Sequence, residues 1–233
     1  MKIAVISDIH GNLEALTAAL SIVEERGIET TYCLGDIVGY GANPNECIDE
    51  LRSRNIPSLL GNHDEVVLDR TRLKRFTKYA KIAAEWTESH LTAEHKEYLS
   101  RLPLVKTLAE CTFVHASPNE PHEWNYVLTQ EDARQCFPYF STEVCCIGHS
   151  HVPGIYCEDG SMHVVEKGKR YLINVGSVGQ PRDGDWRLSF GVFDFDSWSY
   201  EHVRAEYDVE TSRQKIIAAG LPHFLAERIR VGI

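Results

Sequence analysis

The fold of this chain is decided by the stretch Lys2-Ile3-Ala4-Val5-Ile6-Ser7-Asp8-Ile9-His10-Gly11-Asn12. Residues 2–7 are a short β-branched run, and from Asn12 onward apolar residues recur at helical spacing until Gly27. Two further strand patterns, at residues 30–34 and 56–60, flank a helical pattern at 44–54. The series predicts a βαβαβ unit with a parallel sheet, and cleft chemistry belongs at the carboxyl ends of such strands.

The remainder of the chain changes pattern twice. Residues 65–102 carry apolar residues at helical spacing and no strand pattern, which predicts a helical insertion or cap. A series of short strand patterns follows, at residues 111–115, 144–147, 155–157, 162–166, 171–175, 188–195 and 199–207. Turns between them predict a second sheet that is antiparallel or mixed, and a helix over about 209–219 and a turn after Pro222 close the chain. Because no repeat or flexible linker divides it, we predict a single domain over residues 1–233.

Composition limits the class of protein. The chain has 233 residues, of which 43% are hydrophobic and 25% are charged, and these are ordinary globular values. Its net charge of −10 disfavours binding to extended nucleic acid, because an acidic surface repels phosphate backbones. The sequence contains no apolar stretch of the roughly 18 residues that a membrane span needs, and Asp8 interrupts any signal-like segment, so we expect a cytoplasmic protein with no membrane partner. The seven cysteines form no C-x-x-C pair and are interpreted as buried apolar residues.

Potential metal ligands follow five apolar runs. Asp8 and His10, and likewise His149 and His151, are two residues apart, so both members of each pair leave the same side of an extended segment. Carboxylate, amide and imidazole ligands without thiolate favour Mn²⁺, Fe or Zn²⁺. The complete set of candidate ligands is Asp8, His10, Asp36, Asn62, His115, His149 and His151.

Seven ligands are too many for one tetrahedral ion and suit two ions with a bridging carboxylate, for which Asp36 is the candidate. Two divalent ions outweigh the charges of Asp8 and Asp36, which leaves a local positive site that fits phosphate oxygens. Such a pair of ions can clamp the phosphoryl group and lower the pKa of a water molecule. We therefore predict two divalent or mixed-valence ions per chain, with Mn or Fe favoured over Zn, and hydrolysis of a phosphoester.

The order and spacing of these blocks, D-x-H, G-D, G-N-H-D, a lone histidine and G-H-S-H from Asp8 to His151, resemble the calcineurin-like metallophosphoesterases. Residues 173–182 look like the bacterial small-molecule phosphodiesterase branch of that family. The resemblance implies an α/β fold, a four-layer αββα sandwich of two mixed sheets, with a dinuclear site at one edge. The apolar pattern of residues 65–102 places the helical insertion after the third strand of this fold. The resemblance also implies that His63, which is not a metal ligand in that scheme, donates a proton to the leaving oxygen or holds a phosphate oxygen.

One block departs from the family pattern. Many phosphatase members read G-D-x-x-D-R-G, whereas Gly39 and Tyr40 stand here in place of the second Asp and the Arg. The usual partner of the catalytic histidine and the usual phosphate-binding arginine are therefore absent. Asp64 or a backbone carbonyl is the candidate to orient His63, and Arg182 is the candidate phosphate clamp. Asn62 and His63 are further candidate contacts of the substrate.

For three features the sequence leaves two interpretations open. Tyr40 either packs in its loop or contacts substrate, and Trp124 and Tyr126 either stack on a nucleobase or hold their own loop in place. The basic run over residues 70–81 is interpreted as a solvated helix face, with a phosphate-collecting lid as the alternative.

These observations predict a metal-dependent phosphoesterase that hydrolyses a small phosphodiester or phosphoanhydride derived from a nucleotide. A symmetric diadenosine tetraphosphate hydrolase is the alternative within the class. A noncatalytic interaction scaffold with this fold is the alternative from another class, and the retention of His63 with all seven ligand types argues against it. A nuclease and a zinc-dependent hydrolase of carbon esters are disfavoured, and the oligomeric state stays open.

Overall fold

The strands of the protein are seen in a computed structural model that describes residues 1–161 and 165–233. Within these ranges they are β1 (Lys2–Ile6), β2 (Thr30–Cys33), β3 (Val105–Thr107), β4 (Cys111–Val114), β5 (Val144–Ile147), β6 (Gly154–Cys157), β7 (Tyr171–Asn174), β8 (Leu188–Asp194) and β9 (Ser199–Ala205).

The helices cover both outer faces of the molecule. They are α1 (Leu13–Glu25), α2 (Pro44–Ser53), α3 (Asn62–Val66), α4 (Lys78–His90), α5 (Ala93–Ser100), α6 (Gln130–Cys136), α7 (Val209–Ala218) and α8 (His223–Arg228), with 3₁₀ turns at Arg70–Arg75, Pro121–Glu123 and Phe137–Tyr139. Helix α1 begins where predicted, because the Asn12 side chain accepts a hydrogen bond from the Ala15 amide at 3.2 Å.

The strands form two mixed sheets. The first has the order β2-β1-β8-β9, in which β1 is parallel to β2 and antiparallel to β8. The second has the order β3-β4-β5-β7-β6, with a parallel centre and antiparallel edge strands. The parallel sheet predicted for the N-terminal third is therefore completed by a C-terminal antiparallel hairpin, which makes it mixed.

The core confirms the four-layer arrangement implied by the family resemblance. Ile3 and Val5 of β1 face the second sheet and pack in one cluster with Phe113. Ala4 of β1 faces the other way and packs in a cluster with Leu16 of α1. The far side of the second sheet packs in the same manner against α6. The alternation along β1 has the period of two that a strand buried on both faces requires.

Four local predictions need correction. Residues 56–60 form only a parallel bridge from Ser58 to Cys33, extended by a 2.9 Å hydrogen bond from the Leu59 amide to the Cys33 carbonyl, so the third strand is one residue long. The insertion is divided into α3, a 3₁₀ turn, α4 and α5, because Thr77 and Thr92 each cap a new helix. Strand β3 and helix α6 were not predicted. The strand predicted over 162–166 lies largely outside the described residues, and residues 165 and 166 are not in a strand.

No helix among the described residues combines the length and the apolar character required to cross a membrane.

Candidate metal centre

The predicted ligands lie in loops that follow β1, β2, β4 and β5 and at the start of α3, all at one edge of the two sheets. Backbone hydrogen bonds hold these loops together: the Asp8 amide donates to the Gly35 carbonyl at 3.1 Å, and the His10 amide donates to the Asp36 carbonyl at 2.9 Å. The second sheet is joined to the site by the His149 amide, which donates to Asp8 Oδ2 at 3.0 Å. Hydrogen bonds from backbone amides therefore hold the ligand loops next to one another.

Asp36 is shared by two clusters of ligand atoms. One cluster is Asp8, His10, Asp36 and His151, the other is Asp36, His115 and His149, and within each the ligand atoms lie within 4.8 Å of one another. All six residues are buried. The arrangement matches the expectation that Asp36 bridges two ions.

Backbone carbonyls orient three of the histidines. Nδ1 lies 3.1 Å from the Val38 carbonyl in His10, 3.2 Å from the Leu34 carbonyl in His115 and 2.5 Å from the Gln180 carbonyl in His151, so each Nδ1 carries a proton and donates. The Nε2 atoms of His10 and His151, left as acceptors, face each other at 3.1 Å. Two facing lone pairs repel, and a shared cation would remove that repulsion.

The charges in the site favour a cation. Burial alone would lower the pKa of His115, but Asp36, whose Oδ2 lies 3.4 Å from His115 Nε2, raises it to about 9. Burial opposes the ionised form of Asp8 and Asp36, yet the neighbouring histidines hold the pKa of both carboxyls below the usual range. Burial also lowers the pKa of His149 to about 3, so this imidazole is neutral and able to ligate.

Buried atoms without partners indicate that these residues fit metal ions. Among the described residues, four ligand atoms are buried and have no hydrogen-bond partner: Asp8 Oδ1, Asn62 Oδ1, His115 Nε2 and His149 Nε2. A buried polar atom without a partner is costly, and such atoms in a native structure call for a bound species. Oxygen and imidazole nitrogen together suit Mn, Fe or Zn ions, so the donor set and the unpartnered atoms agree.

Backbone strain is concentrated in the same loops. Asp8, His10, Asp36, His149 and His151 all adopt left-handed conformations, with φ between 51° and 65°. Each such residue costs on the order of 1 kcal/mol relative to an ordinary conformation. Strain of this kind clusters at functional sites, where the surrounding hydrogen bonds hold it in place.

His63 lies beside the ligands and is oriented by packing. Its ring contacts those of Tyr40 and Phe76, with centroid distances of 4.4 and 4.7 Å. Burial lowers its pKa to about 4; Asp36 opposes this shift and Arg182 adds to it. Nδ1 of His63 has no hydrogen-bond partner in the described part of the chain.

Asp64 does not orient His63, so that candidate role is wrong. Its carboxylate accepts hydrogen bonds from the amides of Ile37, Val38 and Gly61 at 3.0, 3.1 and 3.0 Å. These hydrogen bonds occupy the Asp64 carboxylate, which thereby joins the loop after β2 to the loop before α3. The backbone-carbonyl alternative is wrong too, since Nδ1 has no such partner among the described residues.

A pocket of about 340 Å³ opens over the centre. All six residues predicted to contact substrate line it, namely Tyr40, Asn62, His63, Trp124, Tyr126 and Arg182. His149 also reaches its surface, whereas the remaining predicted metal ligands lie below it. Trp124 holds its loop through a 2.8 Å hydrogen bond from Nε1 to Glu65, and Tyr126, 54% exposed, stacks on His149 at 4.1 Å.

Three further arginines line the pocket, and the sequence singled out none of them as a substrate contact. Arg72 and Arg75 belong to the basic run that was interpreted as a solvated helix face, with a phosphate-collecting lid as the alternative, and both line the pocket. Arg228 lines it from α8, which packs on Tyr40 through Leu225 in an apolar cluster. The sequence analysis predicts only a turn after Pro222, whereas residues His223–Arg228 form a helix, and nothing in their sequence indicates where that helix packs.

Comparison with known proteins identifies the family. The family model of the calcineurin-like phosphoesterase superfamily domain matches residues 1–197. The chain belongs to the calcineurin-like phosphoesterase superfamily. The resemblance inferred from the five motif blocks is thus confirmed, and membership of this phosphoesterase superfamily indicates a hydrolase.

Relatives of this phosphoesterase match along its whole length. An uncharacterized protein of Methanocaldococcus jannaschii is 43% identical over 240 residues, which covers 99% of this chain and 98% of that protein. The crystal structure of a metallophosphoesterase from Sphaerobacter thermophilus has a TM-score of 0.88 and 38% identity, and covers 100% of both chains. The crystal structure of a hypothetical protein from Pyrococcus horikoshii has the same fold, with a TM-score of 0.85, 23% identity and coverage of 100% of this chain and 98% of that one.

Proposed function

We propose that this phosphoesterase binds two divalent ions, Mn or Fe, and hydrolyses a small phosphodiester or phosphoanhydride derived from a nucleotide. The observation that carries the proposal is Asp36, which belongs to both ligand clusters and whose Oδ1 accepts a 2.8 Å hydrogen bond from the amide of His63, a residue that lines the pocket together with Arg182. Asp8, His10 and His151 hold one ion, and Asn62, His115 and His149 hold the other. When bound, such ions supply Lewis acidity toward phosphoryl oxygens and lower the pKa of water.

The protein's own groups orient and protonate the substrate. Arg182 holds a non-bridging phosphate oxygen, for which a guanidinium is well suited. His63 lies where it can donate to the leaving oxygen, and the negative charge of a bound phosphate raises its pKa toward the range of a proton donor. Trp124 and Tyr126 form the wall against which a nucleobase stacks.

The pocket favours a small substrate. A volume of about 340 Å³ is that of a small-molecule site, and the net charge of −10 opposes a long nucleic acid. A cytoplasmic location stays a prediction. Hydrolysis of diadenosine tetraphosphate and a noncatalytic scaffold stay the two alternatives.

The test is hydrolysis of bis-p-nitrophenyl phosphate and of the p-nitrophenyl monoester by protein loaded with Mn²⁺, with and without chelator. We expect diester turnover that the chelator abolishes and that His63→Ala reduces by about 10²–10⁴-fold. His223→Ala is the control, because this histidine is exposed and lies outside the pocket. A His63→Ala variant as active as the parent would refute the assigned role. Absence of turnover of both esters and of diadenosine tetraphosphate after confirmed metal loading would favour the scaffold.

A further inference from the structure

Two arginines from distant parts of the chain meet over one tyrosine ring. The guanidinium carbons of Arg182 and Arg228 lie 5.7 and 5.8 Å from the ring centroid of Tyr40. Both arginines are partly buried and line the pocket, and the Tyr40 ring in turn lies 4.4 Å from that of His63. A pair of cations is therefore placed next to the proposed reaction centre.

Acidic side chains of the described residues do not compensate this pair. Among the described residues, no aspartate or glutamate side chain forms an ion pair with Arg182 or Arg228, although the chain has an excess of acidic residues. Nε of Arg182 is buried without a partner, while its Nη2 donates to Gln180 Oε1 at 2.9 Å. Nε of Arg228 donates to the Ile233 carbonyl at 2.5 Å.

The other two arginines of the pocket are neutralised. Arg75 donates to Glu123 at 2.9 Å, and Arg72 lies 3.6 Å from Glu65 and 3.8 Å from Glu123. The pocket thus has one side where acidic side chains balance the arginines and one side where Arg182 and Arg228 have no acidic side-chain partner among the described residues. A ligand gains most from the second side, because no ion pair with an aspartate or glutamate must be broken to bind there.

Holding the two cations together costs free energy. Burial and, after it, the charge of Arg182 lower the pKa of Arg228 to about 10, which shows that the two repel. An anion between them would relieve the repulsion and satisfy the free N–H groups. Guanidinium groups bind phosphoryl oxygens through paired hydrogen bonds, so a phosphoryl group fits this place.

We propose that Arg182 and Arg228 bind a second phosphoryl group of the substrate, next to the one that is cleaved, so that the substrate class is a molecule with two or more linked phosphoryl groups. The inference rests on the proposed function, since it places this group relative to the same reaction centre. Arg182 lies between the two phosphoryl positions, and Arg228 is the residue that distinguishes such substrates from simple esters.

The test compares methylphosphonate with methylenediphosphonate, which carries two phosphoryl groups and no hydrolysable P–O–P bond. Affinities are measured calorimetrically in excess Mn²⁺ for the parent, Arg228→Gln, Arg228→Lys and Arg230→Gln. We expect the parent to bind the diphosphonate at least about tenfold more tightly than methylphosphonate, the factor typical of a charged hydrogen bond. Arg228→Gln removes most of this preference and Arg228→Lys removes part of it.

Arg230→Gln is the matched control, because Arg230 follows α8, is exposed and pairs with Glu227 at 3.4 Å. It should keep the preference. Equal binding of the two ligands by the parent, or a preference that survives Arg228→Gln, would overturn the inference even if the esters are hydrolysed. The binding readout needs no turnover. A preference that depends on Arg228, in a protein that hydrolyses neither the esters nor diadenosine tetraphosphate, would remove the proposed function and leave Arg182 and Arg228 as an anion-binding site.

Discussion

Gly39 lies so close to His63 that a Cβ atom on it would be 2.6 Å from Nδ1 of the imidazole. The sequence pattern of related phosphatases has an aspartate at this position, as partner of the catalytic histidine. Here the ring itself fills the space that such a side chain would need, and Tyr40 and Phe76 hold it by packing. The departure from the family pattern is thus a different way of positioning the same histidine.

Gly39→Ala should therefore reduce turnover by at least about tenfold while metal content stays at the parent value, because the new methyl group displaces His63 from its place. Gly184→Ala is the control: its φ of +84° is close to the +93° of Gly39, so the backbone strain is similar, and no atom lies within 4 Å of its Cβ position. Steady-state kinetics and elemental analysis check both. Equal losses of turnover in the two variants would show that the effect comes from backbone conformation alone and not from contact with His63.

Asp36→Ala should lower the binding of both ions, because its carboxylate belongs to both clusters. His149→Ala should weaken only one ion, since His149 belongs to a single cluster. Elemental analysis after dialysis against limiting Mn²⁺ gives the stoichiometry, with about two ions expected for the parent. An Asp36→Ala protein that retains one ion at full affinity would show that Asp36 is not a bridge.

Metal affinity should increase with pH. The pKa of His115 is raised to about 9, and the pKa values of His10, His149 and His151 are lowered, so one proton in the ligand set must leave when metal binds near neutral pH. Below about pH 9 the affinity should then rise about tenfold per pH unit. Calorimetric Mn²⁺ titrations between pH 6.5 and 8.5, in two buffers of different ionisation enthalpy, measure the slope and the proton released. A pH-independent affinity would contradict this account.

Asp64→Ala should destabilise the fold by about 2–4 kcal/mol, because three buried amide groups lose their acceptor. The free energy of unfolding from urea denaturation measures this loss. Asp69→Ala removes an exposed cap of the 3₁₀ turn at Arg70–Arg75 and should cost less than about 1 kcal/mol. Similar losses in the two variants would mean that Asp64 has no special role in joining the loops.

Local patterns in the sequence were enough to predict much of the secondary structure and to select the candidate ligands, six of which the structure brings together in two buried clusters. A ligand pair such as His149 and His151 is recognisable because strand alternation and residue spacing act over a few residues. The same is true of α1, which Asn12 begins and Gly27 follows. The four-layer arrangement was implied by the resemblance of five such blocks to a known family, and the reaction class was inferred from the ligand types in them.

Tertiary structure alone decided which distant groups meet. The hairpin of β8 and β9 completes the first sheet, Asp36 is shared between two clusters, and Arg228 reaches Tyr40 through the packing of α8. The structure also shows that Asp64 binds backbone amides and that Gly39 faces His63. Each of these contacts joins segments that are separated along the chain, and its energy depends on the packing of whole layers. Local propensity and spacing carry no information about such contacts, because they depend only on neighbouring residues.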